Sequence, residues 1–351
     1  MSSSRPLSGG TSHRLEDYDF EYPESSIAGH PAQPRDAARL LIVDRAADRV
    51  EHARFGELPR YLRGGDCLVL NRTKVIPARL LGKKESGGKV DALLVRELSP
   101  GLWTALASGL RVGQTLYFSE AMSARVKRLS ADGEWTLHFS REDVRAWLKR
   151  NGLAPLPPYI AKKRPPERAD AEDLLRYQTV YAREDGSIAA PTAGFHFTEG
   201  LLSELARAGV GRAELTLHVG RGTFRPVTAA DVREHAMLPE SFEVPEESAR
   251  LIQKTRAQGG RVIAVGTTAT RTLETWALGA GPARGDTSLF IHPGHAFSCV
   301  DALLTNFHLP RSTPLLLAAA FAGRERLLAA YREAIAAGYR LFSYGDATLI
   351  L

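Results

Sequence analysis

Between Asp66 and Gly152 the sequence reads as short runs in which apolar and polar residues alternate, and this period of two constrains the fold more than any other feature. CLVLNRTKVIPARLL, KVDALLVREL, LWTALA, TLYFS, ARVKRLS and EWTLHFS are separated by the turn signals SGGK, SPG, RVGQ and SADG. Successive side chains of a strand point to opposite faces, so each run can bury one face and leave the other to water. Short alternating strands joined by tight turns close into a small antiparallel barrel, which removes exposed edges. The run SREDVRAWLKRNG behind them predicts a closing helix, with Ser140 as N-cap, Asp143 three residues on and Gly152 past its end.

Outside this block the pattern changes. VIAVGTT, from Val262, reads as a buried strand running into glycine and threonine, and TRTLETWAL behind it has helical spacing. A chain of 351 residues exceeds the usual single-domain size. The expected organisation is α/β: residues 17–65 and 153–351 form a larger mixed α/β domain, 66–152 an inserted small antiparallel β-barrel domain, and 1–16 a disordered tail. The linker from Leu153 to Ala182 is proline-rich, then basic, then helical in spacing.

Composition narrows the function classes. The formal charge is +6 and the pI about 9.4, which favours a polyanionic partner. Only Cys67 and Cys299 are present, far apart and without a CxxC or Cys/His spacing, so neither a disulfide framework nor a zinc site is indicated. The longest apolar run, Leu315 to Ala322, is too short to span a bilayer, and MSSSRPLSGGTSHR lacks the apolar core of a signal peptide. A cytoplasmic monomer with no membrane partner is expected.

The second half carries five glycine- or histidine-marked segments: APTAGFHFTEGLL from Ala190, LTLHVGRGTFRPV from Leu215, VIAVGTTATRTLET from Val262, LLTNFHLPRST from Leu303 and LFSYGDATLIL from Leu341. Each sets polar residues beside a backbone bend where a ligand can approach. His196 and His218 lie in separate strand-like runs, and His308 follows Asn306 in a turn closed by Pro310. Imidazole titrates near neutrality and suits proton transfer. Alternation in LTLHV sets Leu215, Leu217 and Val219 on one face and Thr216 and His218 on the other. The helix start behind Gly266 can present free amides to an anion, with Thr268 or Thr270 as cap. No GxGxxG run is present, which disfavours a standard dinucleotide fold.

These segments, with DYDFEYP at Asp17, RDAARLLIVDR at Arg35, GDCLVLNRTKVIPARLLG at Gly65 and LPPYI at Leu156, resemble in order the S-adenosylmethionine:tRNA ribosyltransferase-isomerase family of queuosine biosynthesis. The resemblance runs from about Asp17 to Leu351 and implies a barrel inserted into an α/β domain. It further implies that S-adenosylmethionine serves as a ribosyl donor to 7-aminomethyl-7-deazaguanine at the tRNA wobble position. The product is then epoxyqueuosine, with adenine and methionine released, and no metal or further cofactor is expected because S-adenosylmethionine is a substrate.

On that resemblance His218, His196 and Asp346 are the catalytic candidates, the two histidines for acid–base work and Asp346 to pair with the acceptor's ammonium. Arg271 suits the methionine carboxylate. Thr268, Gly220, Gly222, Thr223, Asn306, His308, Arg311, Ser312 and Tyr344 are the remaining substrate-binding candidates. Arg72, Lys74, Arg79, Lys162, Lys163 and Arg164 are candidates for a phosphate-facing surface. The chain departs from the family pattern at Arg72, where an Asp is usual, at His295 for Tyr, and at Arg221 for a small residue. The competing readings are a tRNA methyltransferase, a family paralogue with a different acceptor, and a non-catalytic RNA-binding relative. His292 and His295 offer a weak metal-hydrolase alternative.

Overall fold

The computed structural model describes residues 12–163, 171–220, 222, 226–279 and 283–351; Arg164, Arg221, Thr223 and the tail up to residue 11 lie outside the described residues. In chain order the strands are β1 Arg39–Asp44, β2 Arg49–Arg54, β3 Cys67–Asn71, β4 Thr73–Val75, β5 Arg79–Lys84, β6 Lys89–Ser99, β7 Leu102–Ala107, β8 Thr115–Ser119, β9 Met122–Leu129, β10 Trp135–Phe139, β11 Glu184–Ser187, β12 Gly211–Leu217, β13 Glu240–Glu243, β14 Val262–Val265, β15 Arg284–Thr287, β16 Ala302–Asn306 and β17 Ala347–Ile350. The helices are α1 Val144–Asn151, α2 Pro158–Ala161, α3 Ala171–Arg176, α4 Glu199–Arg207, α5 Glu246–Ala257, α6 Thr267–Gly279, α7 Thr313–Ala322 and α8 Arg324–Ala336. The chain divides into two compact units, one of Met1–Arg72, Pro191–Leu217 and Gly222–Leu351, the other of Thr73–Ala190 and His218–Arg221.

The first unit is built on a nine-stranded sheet in the order β15-β13-β12-β3-β14-β16-β17-β1-β2. The runs CLVLN, VIAV, ALLTN and ATLI form β3, β14, β16 and β17, and every residue in them is buried. Strands covered on both faces read as continuous apolar runs, which is why these four show no alternation. β12, β3, β14 and β16 are mutually parallel; β17 runs antiparallel to β16 and parallel to β1. The buried Asp66 carboxylate anchors the entry to this region, accepting from the amide of Arg63 (2.9 Å) and the guanidinium of Arg261 (2.6 Å). Burial alone would raise the acid's pKa, but Arg261 and the backbone amides of Arg63 and Arg261 hold it below its ordinary value. The run Leu315–Ala322 lies within α7, buried rather than lipid-facing.

The second unit contains a closed barrel in the order β10-β7-β6-β5-β8-β9, with all neighbours antiparallel. Leu80, Ala92, Leu94, Leu116, Val126 and Leu137 point into it and are buried, as the alternation requires. A two-stranded parallel sheet, β4 with β11, completes the unit together with α1 to α3. The barrel strands span Arg79–Phe139. Cys67–Asn71, read in the sequence as the barrel's beginning, is instead a central strand of the nine-stranded sheet, because CLVLN is apolar on both faces.

The closing helix forms as α1, but Ser140 does not cap it. Its hydroxyl accepts from the amide of Ser123 (3.1 Å), and Asp143 occupies the N-cap position without a side-chain capping bond. Gly152 follows the helix because a Cβ there would come within 1.9 Å of the Pro77 carbonyl oxygen. Neither Thr268 nor Thr270 caps α6: Thr270 donates back to the Gly266 carbonyl (3.0 Å), and Thr268 accepts from Asn71 (3.2 Å).

Candidate active site

Two polar clusters form, one in each unit. In the first unit Asn306, the last residue of β16, is the hub. Its Oδ1 accepts from Thr192 Oγ1 (2.9 Å), and its Nδ2 donates to the Phe342 carbonyl (3.2 Å) and to His196 Nε2 (3.2 Å). A carbonyl acceptor requires the amide nitrogen on that side, so His196 Nε2 is the lone-pair nitrogen and the neutral ring carries its proton on Nδ1. The ring lies against Phe55, centroids 4.9 Å apart. Burial, with the Arg340 and Arg35 charges, pulls its pKa down to about 3. His196 belongs to a 3-10 turn, Thr192–His196, rather than to a strand: the proline and glycine of APTAGFH favour a bend over an extended run.

His308 is half-buried where His196 is buried, and it has different partners. Its Nε2 meets Thr305 Oγ1 at 2.8 Å, its amide donates to the Tyr331 hydroxyl, and burial lowers its pKa to about 3. Both rings stay neutral at physiological pH, which suits a hydrogen-bonding role rather than proton uptake. Ser312 is the N-cap of α7: its hydroxyl accepts from the Leu315 amide and donates to the Leu309 carbonyl (2.6 Å). Arg311 has φ 55° and pairs with Asp19. Tyr344 is buried beside Phe195, ring centroids 5.7 Å apart.

Two candidates are engaged by contacts within the scaffold. Arg271 is buried and pairs with Glu240, while its Nε and Nη2 donate to the carbonyls of Leu289 (2.9 Å) and Thr287 (3.3 Å). A guanidinium committed to a buried carboxylate and two carbonyls is not positioned to take a free methionine carboxylate. Asp346 is buried and accepts from the backbone amides of Arg39 (2.9 Å) and Arg340 (2.7 Å). It ties the start of β1 to the turn before β17, so its carboxylate is occupied by the backbone and is not presented to an ammonium. Thr216, expected opposite the apolar face of LTLHV, is buried as well and accepts from Arg72 Nε (3.3 Å).

In the second unit the cluster centres on His218, the residue following β12 in the chain. His218 Nδ1 lies 2.9 Å from Thr73 Oγ1, and Thr73 Oγ1 lies 2.7 Å from Ser187 Oγ. The Val219 amide donates to Ser187 Oγ (2.8 Å). Thr73 and Ser187 are fully buried, so each hydroxyl proton needs an acceptor. Ser187 accepts from Val219 and has a second lone pair left, so either hydroxyl can donate across the Ser187–Thr73 pair, and the direction between Thr73 and His218 Nδ1 follows the ring's tautomer. Gly186 makes room for the ring: a Cβ there would lie 2.7 Å from both Cε1 and Nδ1 of His218.

Thr73, Ser187, Gly186 and Asn71 were not among the expected site residues. Asn71 donates to the Leu217 carbonyl (3.0 Å), accepts from the Leu217 amide (3.1 Å) and reaches Thr268, continuing the β12 ladder with a side chain. The Gly-Ser pair at 186–187 and the Asn-Arg-Thr-Lys run at 71–74 were the available signals. Gly222 is buried, with Leu238 3.7 Å from the position a Cβ would take. Of the basic candidates, Arg79 forms a two-pronged pair with Asp91 (3.0 and 2.6 Å), Lys74 lies 4.0 Å from Asp185, and Lys162 and Lys163 are exposed.

One cluster belongs to the α/β unit and the other to the unit that contains the antiparallel barrel, and the profile of the family described as "Queuosine biosynthesis protein" matches residues 15–350. The chain belongs to this family. It is similar to the S-adenosylmethionine:tRNA ribosyltransferase-isomerase of Anaeromyxobacter sp. (strain K), 51% identical over 350 residues, spanning 96% of this chain and 99% of that one. The protein of the same name from Moorella thermoacetica is 49% identical over 348 residues, spanning 96% and 100%. Among solved structures, the crystal structure of S-adenosylmethionine tRNA ribosyltransferase from Thermotoga maritima matches with a TM-score of 0.55 and 37% identity, covering 95% of this chain and 100% of that one.

Among the described residues no group of three or more His, Cys, Asp or Glu side chains could hold a metal ion. His292 Nδ1 meets the Pro293 carbonyl (2.9 Å), and His295 lies 3.6 Å from Glu274. Among the same residues no helix is long and apolar enough to cross a membrane.

Proposed function

We propose that this protein transfers the ribosyl part of S-adenosylmethionine to 7-aminomethyl-7-deazaguanine at the tRNA wobble position and isomerises it to epoxyqueuosine, releasing adenine and methionine. The observation that carries this reading is the match to relatives of that name over almost the whole of both chains. The reaction sets three tasks: taking the proton that the adjacent sulfonium acidifies at the ribose 5′ carbon, delivering a proton to adenine as it leaves, and holding the methionine zwitterion.

His218 is our candidate for proton transfer. Its Nδ1 is held by Thr73, 2.9 Å away, and Gly186 gives the ring space, which fixes the imidazole for proton transfer in this reading. His196 and His308, with pKa values brought down to about 3, act as neutral hydrogen-bonding groups in this reading. Asn306, Thr192 and Tyr344 are the binding candidates around them. Asp346 and Arg271 are assigned to the scaffold. We place the activity in the cytoplasm, in a monomer needing no further cofactor.

Isotope placement tests the reaction. With S-adenosylmethionine carrying ¹³C in the ribose, the expected result is the full ribose label in the tRNA nucleoside; with ¹³C in the methyl group, the label leaves with methionine. Methyl label in the RNA would contradict the proposal.

A further inference from the structure

We propose that the outer barrel face formed by β5, β6, β8 and β9 binds unpaired nucleotides of the RNA substrate, a base stacking on Tyr117 and phosphates lying on Lys83, Lys89 and Arg125. This rests on the RNA acceptor proposed above and adds where the RNA is held. The strand registers place Lys83 directly opposite both Lys89 and Tyr117, so Lys89, Lys83 and Tyr117 form one cross-strand row. Tyr117 in turn faces Ser123, two residues before Arg125 on β9, which sets Arg125 on the diagonal from the ring. All four side chains are exposed, Tyr117 at 47%, and Leu81, on the same face of β5 as Lys83, at 48%.

Two lysines directly opposite each other repel, and that arrangement costs stability unless an anion lies across it. Among the described residues none supplies that anion, since Lys83, Lys89 and Arg125 make no ion pair with them. Asp91, the acid on the neighbouring row, is taken by Arg79, and Glu85 and Glu120 lie in the turns at the strand ends. A partner for this face must bring negative charge at intervals together with flat π-faces. An unpaired polynucleotide has both, and stacking on an exposed aromatic is tolerant of base identity. The other basic candidates serve less well, since Arg79 and Lys74 already have carboxylates within 4.0 Å.

The test measures binding of a tRNA transcript by fluorescence anisotropy from 50 to 300 mM salt, roughly the range over which phosphate contacts report themselves. Removing two phosphate contacts with Lys83→Gln/Lys89→Gln should flatten the logarithmic salt slope by about 1.5. Tyr117→Ala should weaken binding about 5- to 100-fold, and Tyr117→Phe should restore it. Thermal midpoints and S-adenosylmethionine affinity should match the wild type in all three variants. Wild-type slope and affinity in the lysine and alanine variants would overturn the placement while leaving the RNA acceptor intact. Absence of tRNA binding by the wild-type protein would overturn both. Displacement of tRNA by polyglutamate at equal charge concentration would assign the face to acidic peptides and overturn the RNA occupant.

Discussion

His218 stands at the end of a hydroxyl chain through Thr73 and Ser187, and its role is open to substitution. A glutamine can donate and accept hydrogen bonds but cannot shuttle a proton near neutral pH. His218→Gln is therefore expected to lower kcat by a factor of about 100 to 10,000 with the fold intact, as measured by adenine release at saturating substrates. Near-normal turnover would make the residue a binding or structural contact. Gly186→Ala should act in the same direction, because its Cβ would lie 2.7 Å from the imidazole and displace it. The two histidines of the first unit predict a second behaviour. His196 and His308 titrate near 3 in the folded chain, against about 6.5 when unfolded. The unfolded chain takes up protons there that the folded chain refuses. The stability they support is complete above about pH 6.5 and is lost as pH falls toward 3, at up to about 1.4 kcal/mol per pH unit for each ring. Urea midpoints of the wild type should fall from pH 6.5 to 4.5, and those of His308→Gln should fall less steeply.

At the level of elements, β17 is held between β16 and β1 partly by the Asp346 carboxylate, which bonds two backbone amides at its entry. Removing it leaves two part-buried amides without that acceptor, so Asp346→Ala should cost about 1–3 kcal/mol, read as a drop in the denaturant midpoint. Turnover per folded molecule should stay near the wild-type value. A large loss of turnover in a stable variant would return Asp346 to the site. In its sequence this aspartate looks like a partner for the acceptor's ammonium at a glycine bend. Only the long-range bonds to Arg39 and Arg340 show that the backbone occupies it. Arg271 is a parallel case, since nothing local to TRTLET announces that Glu240, on a distant strand, meets its guanidinium. The barrel strands were legible because alternation is a local signal. β3 was placed with them because its five buried residues adjoin that block in the chain and carry no period of their own.

For the whole molecule, the order of nine short segments carried the family, and the architecture followed from period-two runs set within α/β runs. The hydroxyl chain at His218 was not legible, because Thr73, Ser187 and Val219 come from three separate stretches and none of them is unusual alone. The positive net charge agrees with a polyanionic substrate but does not say which reaction is performed on it. The most direct measurement is therefore of the small molecules released. The purified protein is incubated with S-adenosylmethionine and tRNA bearing 7-aminomethyl-7-deazaguanine, and the filtrate is analysed by quantitative mass spectrometry. Adenine and methionine should appear in equal amounts, matched by epoxyqueuosine in the RNA. S-Adenosylhomocysteine as the main nucleoside product, with methylated RNA, would contradict the account.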